Sequence, residues 1–199
     1  MKKLLLPLLL CTSTLLFAQS KTDNFIKKYG YAKISAPILI PKKQTEPQPL
    51  PENNPTIGVF GTIGAKIRYA ALGLSAGYFN LGSTGPVTPL GVDFTLTDFK
   101  KKKAFPVITV QWHKAHYTEN YSWGRIGHNT YHITGNDMYS IGGGLAFPAF
   151  KTGKLLVTAG FSKLSNNLAQ TFSDDLNPPT TQYHKGHLNM FVLATSLAF

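Results

Sequence analysis

The side chains able to do chemistry are few and can be weighed one by one. His113 and His116 lie three residues apart. On a strand that spacing puts them on opposite faces, so they cannot share a metal ion as they would on a helix. His128 and His132 lie in the same polar region as His116 and could complete a loop site with it. Exposed polar histidines explain the three more simply. The run His132-Ile133-Thr134-Gly135-Asn136-Asp137 sets a base, a hydroxyl and a carboxylate close together. Thr134 has no evident activating arrangement. Asp93, Arg68, Lys66 and Gln111 occur inside apolar, alternating segments. There they would point inward, pair and stiffen the fold, or tune the selectivity of a pore. Nothing in these patterns requires a cofactor or a metal.

These residues must be positioned by strands. The last ten residues show why. Phe191, Leu193, Thr195, Leu197 and Phe199 fall on one side of a strand, and Ala194, Ser196 and Ala198 on the other. The same two-residue period recurs upstream. Leu72, Leu74, Ala76 and Tyr78 oppose Ala71, Gly73, Ser75 and Gly77. Val92, Phe94 and Leu96 oppose Asp93, Thr95 and Thr97. Ile108, Val110 and Trp112 oppose Thr109, Gln111 and His113. Tyr139, Ile141, Leu145 and Phe147 oppose Ser140, Gly142, Gly144 and Ala146. Leu155, Val157, Ala159 and Phe161 oppose Thr158, Gly160 and Ser162. A soluble sandwich turns large apolar side chains inward and solvated ones outward. Here the second face is too small and too poor in charge to be a solvated surface. Lipid outside and a narrow lumen inside account for both faces.

Composition agrees. Of the 199 residues, 43% are hydrophobic and only 15% charged. No apolar run after the N-terminus approaches the roughly 20 residues of a membrane-spanning helix, so any insertion is by strands. Residues 1–19 read as a cleaved signal peptide: Lys2-Lys3, an apolar core from Leu4 to Phe17, and a cleavage region near Ala18 or Gln19. A lipoprotein signal using Cys11 fits less well, because Leu10 stands where a small residue normally precedes the cysteine. Cys11 is the only cysteine, so the exported chain is expected to lack disulfides, thiol catalysis and cysteine metal sites. The formal charge is +11, and about +9 once Lys2 and Lys3 leave. In an exported protein this basic excess points away from nucleic acid and toward anionic outer-membrane lipid and lipopolysaccharide, or simply toward solvated turns.

Residues 20–55 form an N-terminal segment: a first strand near 30–40, with Pro37 forcing a bulge or an irregular section, then a Pro-rich linker from Pro41 to Pro55. Residues 56–199 form the barrel proper. Counted back from the last strand, 164–184 is an outer loop, 148–153 a turn, 118–136 mainly an outer loop into which strands can extend, 100–103 a Lys-rich turn, 80–90 an outer loop and 63–66 a turn. Long and short connections alternate as a membrane barrel requires. The expectation is an all-β, antiparallel transmembrane barrel, most simply of eight strands, closed by the C-terminal strand. A hairpin within 118–136 would make ten.

Leu72 to Phe79, Pro89-Leu90-Gly91-Val92-Asp93-Phe94, Lys102-Lys103-Ala104-Phe105-Pro106-Val107 and the Gly-rich 139–147 resemble, in order, the small porin-like outer-membrane β-barrel proteins of Gram-negative bacteria. The resemblance covers 56–199 and implies an outer-membrane location, a non-enzymatic barrel and Phe199 as the recognition end for the barrel-assembly machinery, in line with Leu197, Leu193 and Phe191. It leaves 20–55 unplaced and names no substrate. The run at His132 is faintly similar to the His-x-Ser-Asn run of lipid A deacylase barrels, with Thr134 in place of Ser and Gly135 in place of Asn. The reading is a structural or surface-interaction barrel, with an extracellular ligand at its loops as one use. The alternatives are a narrow transport pore and a lipid A-modifying hydrolase.

Overall fold

The computed structural model describes residues 28–42, 54–80, 85–116, 118–123, 128–150, 153–173 and 179–199. The expected signal peptide and most of the Pro-rich linker lie outside these residues. Nine strands are described: β1 Gly30–Pro41, β2 Thr56–Lys66, β3 Ala70–Asn80, β4 Pro86–Leu96, β5 Phe105–His116, β6 Thr118–Trp123, β7 His128–Ala149, β8 Gly153–Ser173 and β9 Thr180–Ala198. They form one antiparallel ladder in the order β5-β4-β3-β2-β1-β9-β8-β7-β6, and β5 also pairs with β7. The two partners of β7 lie end to end: β5 takes its Asp137–Ala146 half and β6 its Asn129–Thr134 half. Together β5 and β6 make one interrupted stave. The ring therefore has eight staves and no open edge around its body.

The closing contact is β1 with β9, from Lys33↔Ala198 to Pro41↔Met190. Phe199 adds a last rung, donating its amide to the Ala32 carbonyl at 2.8 Å. The expected first strand is thus a full stave. Pro37 makes the irregular section expected of it, without a bulge. The β1–β2 register is the same before Ser35↔Phe60 and after Ile38↔Ile57, with only the rungs at Ala36 and Pro37 missing. Proline removes a donor, and its neighbours hold the register.

The alternating faces fall as the residues require. Leu72, Leu74 and Tyr78 face out, and Ala71, Gly73 and Ser75 are buried inside. On β9, Phe191, Leu193 and Thr195 are exposed, whereas Ser196 and Ala198 are buried. Such a continuous apolar exterior would be a liability in water and is a requirement in lipid.

Strand length divides the barrel into two kinds of wall. A tilted strand crosses a membrane in about 9–11 residues. β1 to β5 have 11 or 12 residues each. β7, β8 and β9 have 22, 21 and 19. The connection 164–184, read as an outer loop, is instead largely strand, and strands extend far into 118–136. Polar residues do not stop a ladder that a neighbouring strand continues to satisfy. A register shift between Gly135 and Met138 marks where β7 passes from the barrel body into this extension. β1 accompanies β9 only from Met190 onward, so β6 to β9 stand as a tall wall above β1 to β4. The β2–β3 turn, the Lys100–Lys103 segment, Gly153 and Phe199 lie at the opposite end.

Candidate functional site in the barrel lumen

The lumen is filled in three layers. At the tight-turn end, Tyr31, Ala71, Val107, Ala146, Leu156 and Ala198 pack together, with Phe99 against them. The Tyr31 and Phe99 rings meet edge to face at 5.8 Å.

The middle layer is polar. Lys33 of β1 bonds both oxygens of Asp93 on β4, at 2.7 and 2.6 Å, and both side chains are almost fully buried. Thr95 donates to Asp93 Oδ1 at 3.1 Å, and the Gln111 amide donates to Oδ2. Thr95 in turn accepts from Tyr31 at 3.3 Å. β1 and β4 stand three staves apart, so the ion pair reaches across the lumen instead of along its wall. A buried pair of charges is tolerated because the remaining acceptor positions are filled. Beside it lies a small cavity of about 40 Å³, bordered by Lys33, Phe60, Gln111, Thr158 and Ser196.

A second polar row follows the ladder from Thr62 to Ser75 to Gly91 to His113. The Thr62 and Ser75 hydroxyls and both His113 ring nitrogens are buried without a hydrogen-bond partner among the described residues. The Phe60 ring lies against His113, with centroids 5.4 Å apart.

The third layer, toward the tall wall, is apolar. Leu39, Phe60, Phe79, Val87, Ala115, Met138, Leu164, Leu188 and Met190 form one buried cluster, with Val192 packed on it. The lumen of a membrane barrel is ordinarily polar. Here the layer next to the tall wall is made mainly of leucine, phenylalanine and methionine.

The expected site residues separate. Asp93 and Gln111 point into the lumen and meet there. Arg68 does not: it is exposed in the β2–β3 turn, 3.8 Å from Asp98. Lys66 ends β2 at the same rim, its ammonium 5.8 Å from the Phe99 ring centroid. A three-residue turn cannot carry a side chain to the middle of the barrel. Lys33 escaped the sequence reading, although its place between Tyr31 and Ser35 on the inward register marks it. The apolar layer escaped too, because Leu164 lay within a segment taken as a loop and the cluster forms only across strands. His113 faces in and His116 out, as the strand period demands. His132 and Thr134 are two rungs of β7, opposite Ala169 and Asn167, and not part of a loop. Phe191, Leu193, Leu197 and Phe199 share the outward row of β9. The Phe199 ring lies 3.2 Å from where a Cβ on Gly153 would stand.

No family model and no curated protein sequence matches this chain. Two solved structures are loosely similar to it. One is the outer membrane protein AlkL in lipid bilayers, with 11% identity over 90% of this chain and 94% of that one, TM-score 0.46. The other is the CymD monoaromatic hydrocarbon channel, with 11% identity over 79% of this chain and 51% of that one, TM-score 0.36. The barrel assignment rests on the closed ladder and its lipid-facing exterior.

Proposed function

We propose that this chain is an outer-membrane barrel that admits small apolar molecules through the outer half of its lumen. One observation carries this reading: the buried cluster of Leu39, Phe60, Phe79, Val87, Met138, Leu164, Leu188 and Met190 where barrel interiors are ordinarily polar. Long loops and long strands face outward in such barrels and tight turns face the periplasm. On that orientation an apolar solute meets the apolar layer first, behind the shelter of the tall wall. Passage requires side chains to move. Met138 and Met190 are the flexible ones, and Phe60 and Phe79 are the bulky ones. Deeper in, the Lys33–Asp93 pair bars hydrated ions, so the barrel is not a water-filled pore.

The exported location, the signal peptide at 1–19 and contact with lipopolysaccharide belong to the same reading. So does recognition of Phe199, Leu197, Leu193 and Phe191 by the assembly machinery. Deleting Phe199 is expected to lower the amount of heat-modifiable barrel in the membrane fraction.

The test is entry of a radiolabelled alkane or monoaromatic solute into cells with and without the protein, beside ion conductance of the purified barrel in planar bilayers. Faster entry with the protein and silence toward ions are expected, and Phe60→Ala should speed entry further. Equal entry with and without a correctly folded barrel sinks the proposal. That result would favour the second reading, a surface-interaction barrel, which is supported by the sheet of β6 to β9 standing above the other staves.

A further inference from the structure

The outward surface of the wall β5-β7-β8-β9-β1 carries a concavity of about 710 Å³. Two ladder rows build it. The upper row runs from Trp112 to Tyr139 to Lys163 to Asn189. It continues to Lys42, whose amide donates to the Asn189 carbonyl at 2.8 Å. The lower row runs from Ile141 to Phe161 to Phe191, the two phenyl rings edge to face at 5.7 Å. The wall behind them is thin. Its inward side chains here include Ser140 and Ser162, which bond each other at 2.8 Å.

Lys42 and Lys163 are both exposed. The ion pairs among the described residues involve Lys33, Arg68 and Lys114 instead. β8 and β1 flank β9, so the two lysine backbones stand about 10 Å apart at the usual strand spacing. A trough of aliphatic and aromatic side chains topped by two uncompensated cations is not complementary to neutral lipid alone. Its complement is an amphiphile with apolar chains and a negative headgroup. Trp112 and Tyr139 mark the level of the membrane interface, where amphipathic rings settle.

We infer that this trough seats a phosphate-bearing lipid of the outer leaflet, its acyl chains along Ile141, Phe161 and Phe191 and its phosphate between Lys163 and Lys42. The inference rests on the membrane reading of the barrel, and the experiment separates the two.

In a Trp123→Phe chain, Trp112 is the only tryptophan. The folded chain is placed in phosphatidylcholine vesicles containing a small fraction of brominated phosphatidylglycerol, or the same fraction of brominated phosphatidylcholine. Quenching of Trp112 several-fold stronger by the anionic bromolipid is expected. Lys42→Ala/Lys163→Ala should reduce it to the zwitterionic level, and Lys42→Arg/Lys163→Arg should keep it. A heat-modifiable gel shift confirms that each variant is folded. Equal quenching by the two bromolipids, or a preference that survives the alanine pair, overturns the lipid site and leaves the membrane reading standing. No quenching by either lipid overturns both.

Discussion

At the scale of the residue, Asp93 carries the most. It is fully buried and takes bonds from Lys33, Thr95 and Gln111. Replacing it with alanine leaves the Lys33 ammonium buried and unpaired, a change that typically costs about 3–5 kcal/mol. Urea unfolding of Asp93→Ala in detergent micelles should show a loss of that size. Lys33→Met/Asp93→Leu should recover most of it, because a well-packed apolar pair of similar volume replaces the charges without a desolvation cost. A double variant as unstable as Asp93→Ala would mean that the pair itself, and not its breaking, holds the lumen together. Gly77 is the second sensitive position. A Cβ there would stand 2.5 Å from the Phe60 ring, which already packs on Phe79 and His113. Gly77→Val should therefore cost about 1–3 kcal/mol by overpacking. Phe60→Leu in the same chain should return part of that loss, read from the same unfolding curves.

At the scale of the element, the barrel body and the tall wall are separable. β5 and β7 pair from Phe105↔Ala146 to Lys114↔Asp137 without help from β6. Replacing residues 118–134 with a short Gly-containing turn should leave all eight staves closed. The expected result is an unchanged heat-modifiable gel shift and a melting temperature little altered, while entry of apolar solutes slows because the mouth loses its shelter. Loss of the gel shift would show instead that the extension nucleates or supports the β5–β7 contact. The difference in strand length explains why the split is expected. The 11 or 12 residues of β1 to β5 suffice to cross the bilayer, whereas roughly half of each of β7, β8 and β9 lies beyond it.

At the scale of the molecule, orientation is the property that function depends on. In a Cys11→Ser background, a cysteine at Lys185, exposed on the extended part of β9, should react with a membrane-impermeant maleimide in intact cells. One at Lys102, in the β4–β5 turn, should react only after the outer membrane is breached. Reversal of these two accessibilities would place the apolar layer on the periplasmic side and remove the proposed entry route. Much of this architecture was already legible in the chain. The period-2 dyads from Leu72 to Phe199 dictate strands, assign their faces and require lipid on one of them, because alternation depends only on local backbone geometry. Closure by the C-terminal strand follows from spacing alone, and so do the inward placements of Asp93 and Gln111, whereas the choice of eight staves over ten is made by β5 and β6 lying end to end on β7. What the chain does not show is anything that depends on which residues meet across the ring. Lys33 finds Asp93 three staves away. Leu164, Leu188 and Met138 become one apolar layer only because β7, β8 and β9 bring them together across the ring. Trp112, Tyr139, Lys163, Asn189 and Lys42 become a single row only through the inter-strand register. Local periodicity says which face a side chain takes. Register and closure, set by the packing of the whole ring, say which neighbour it has there.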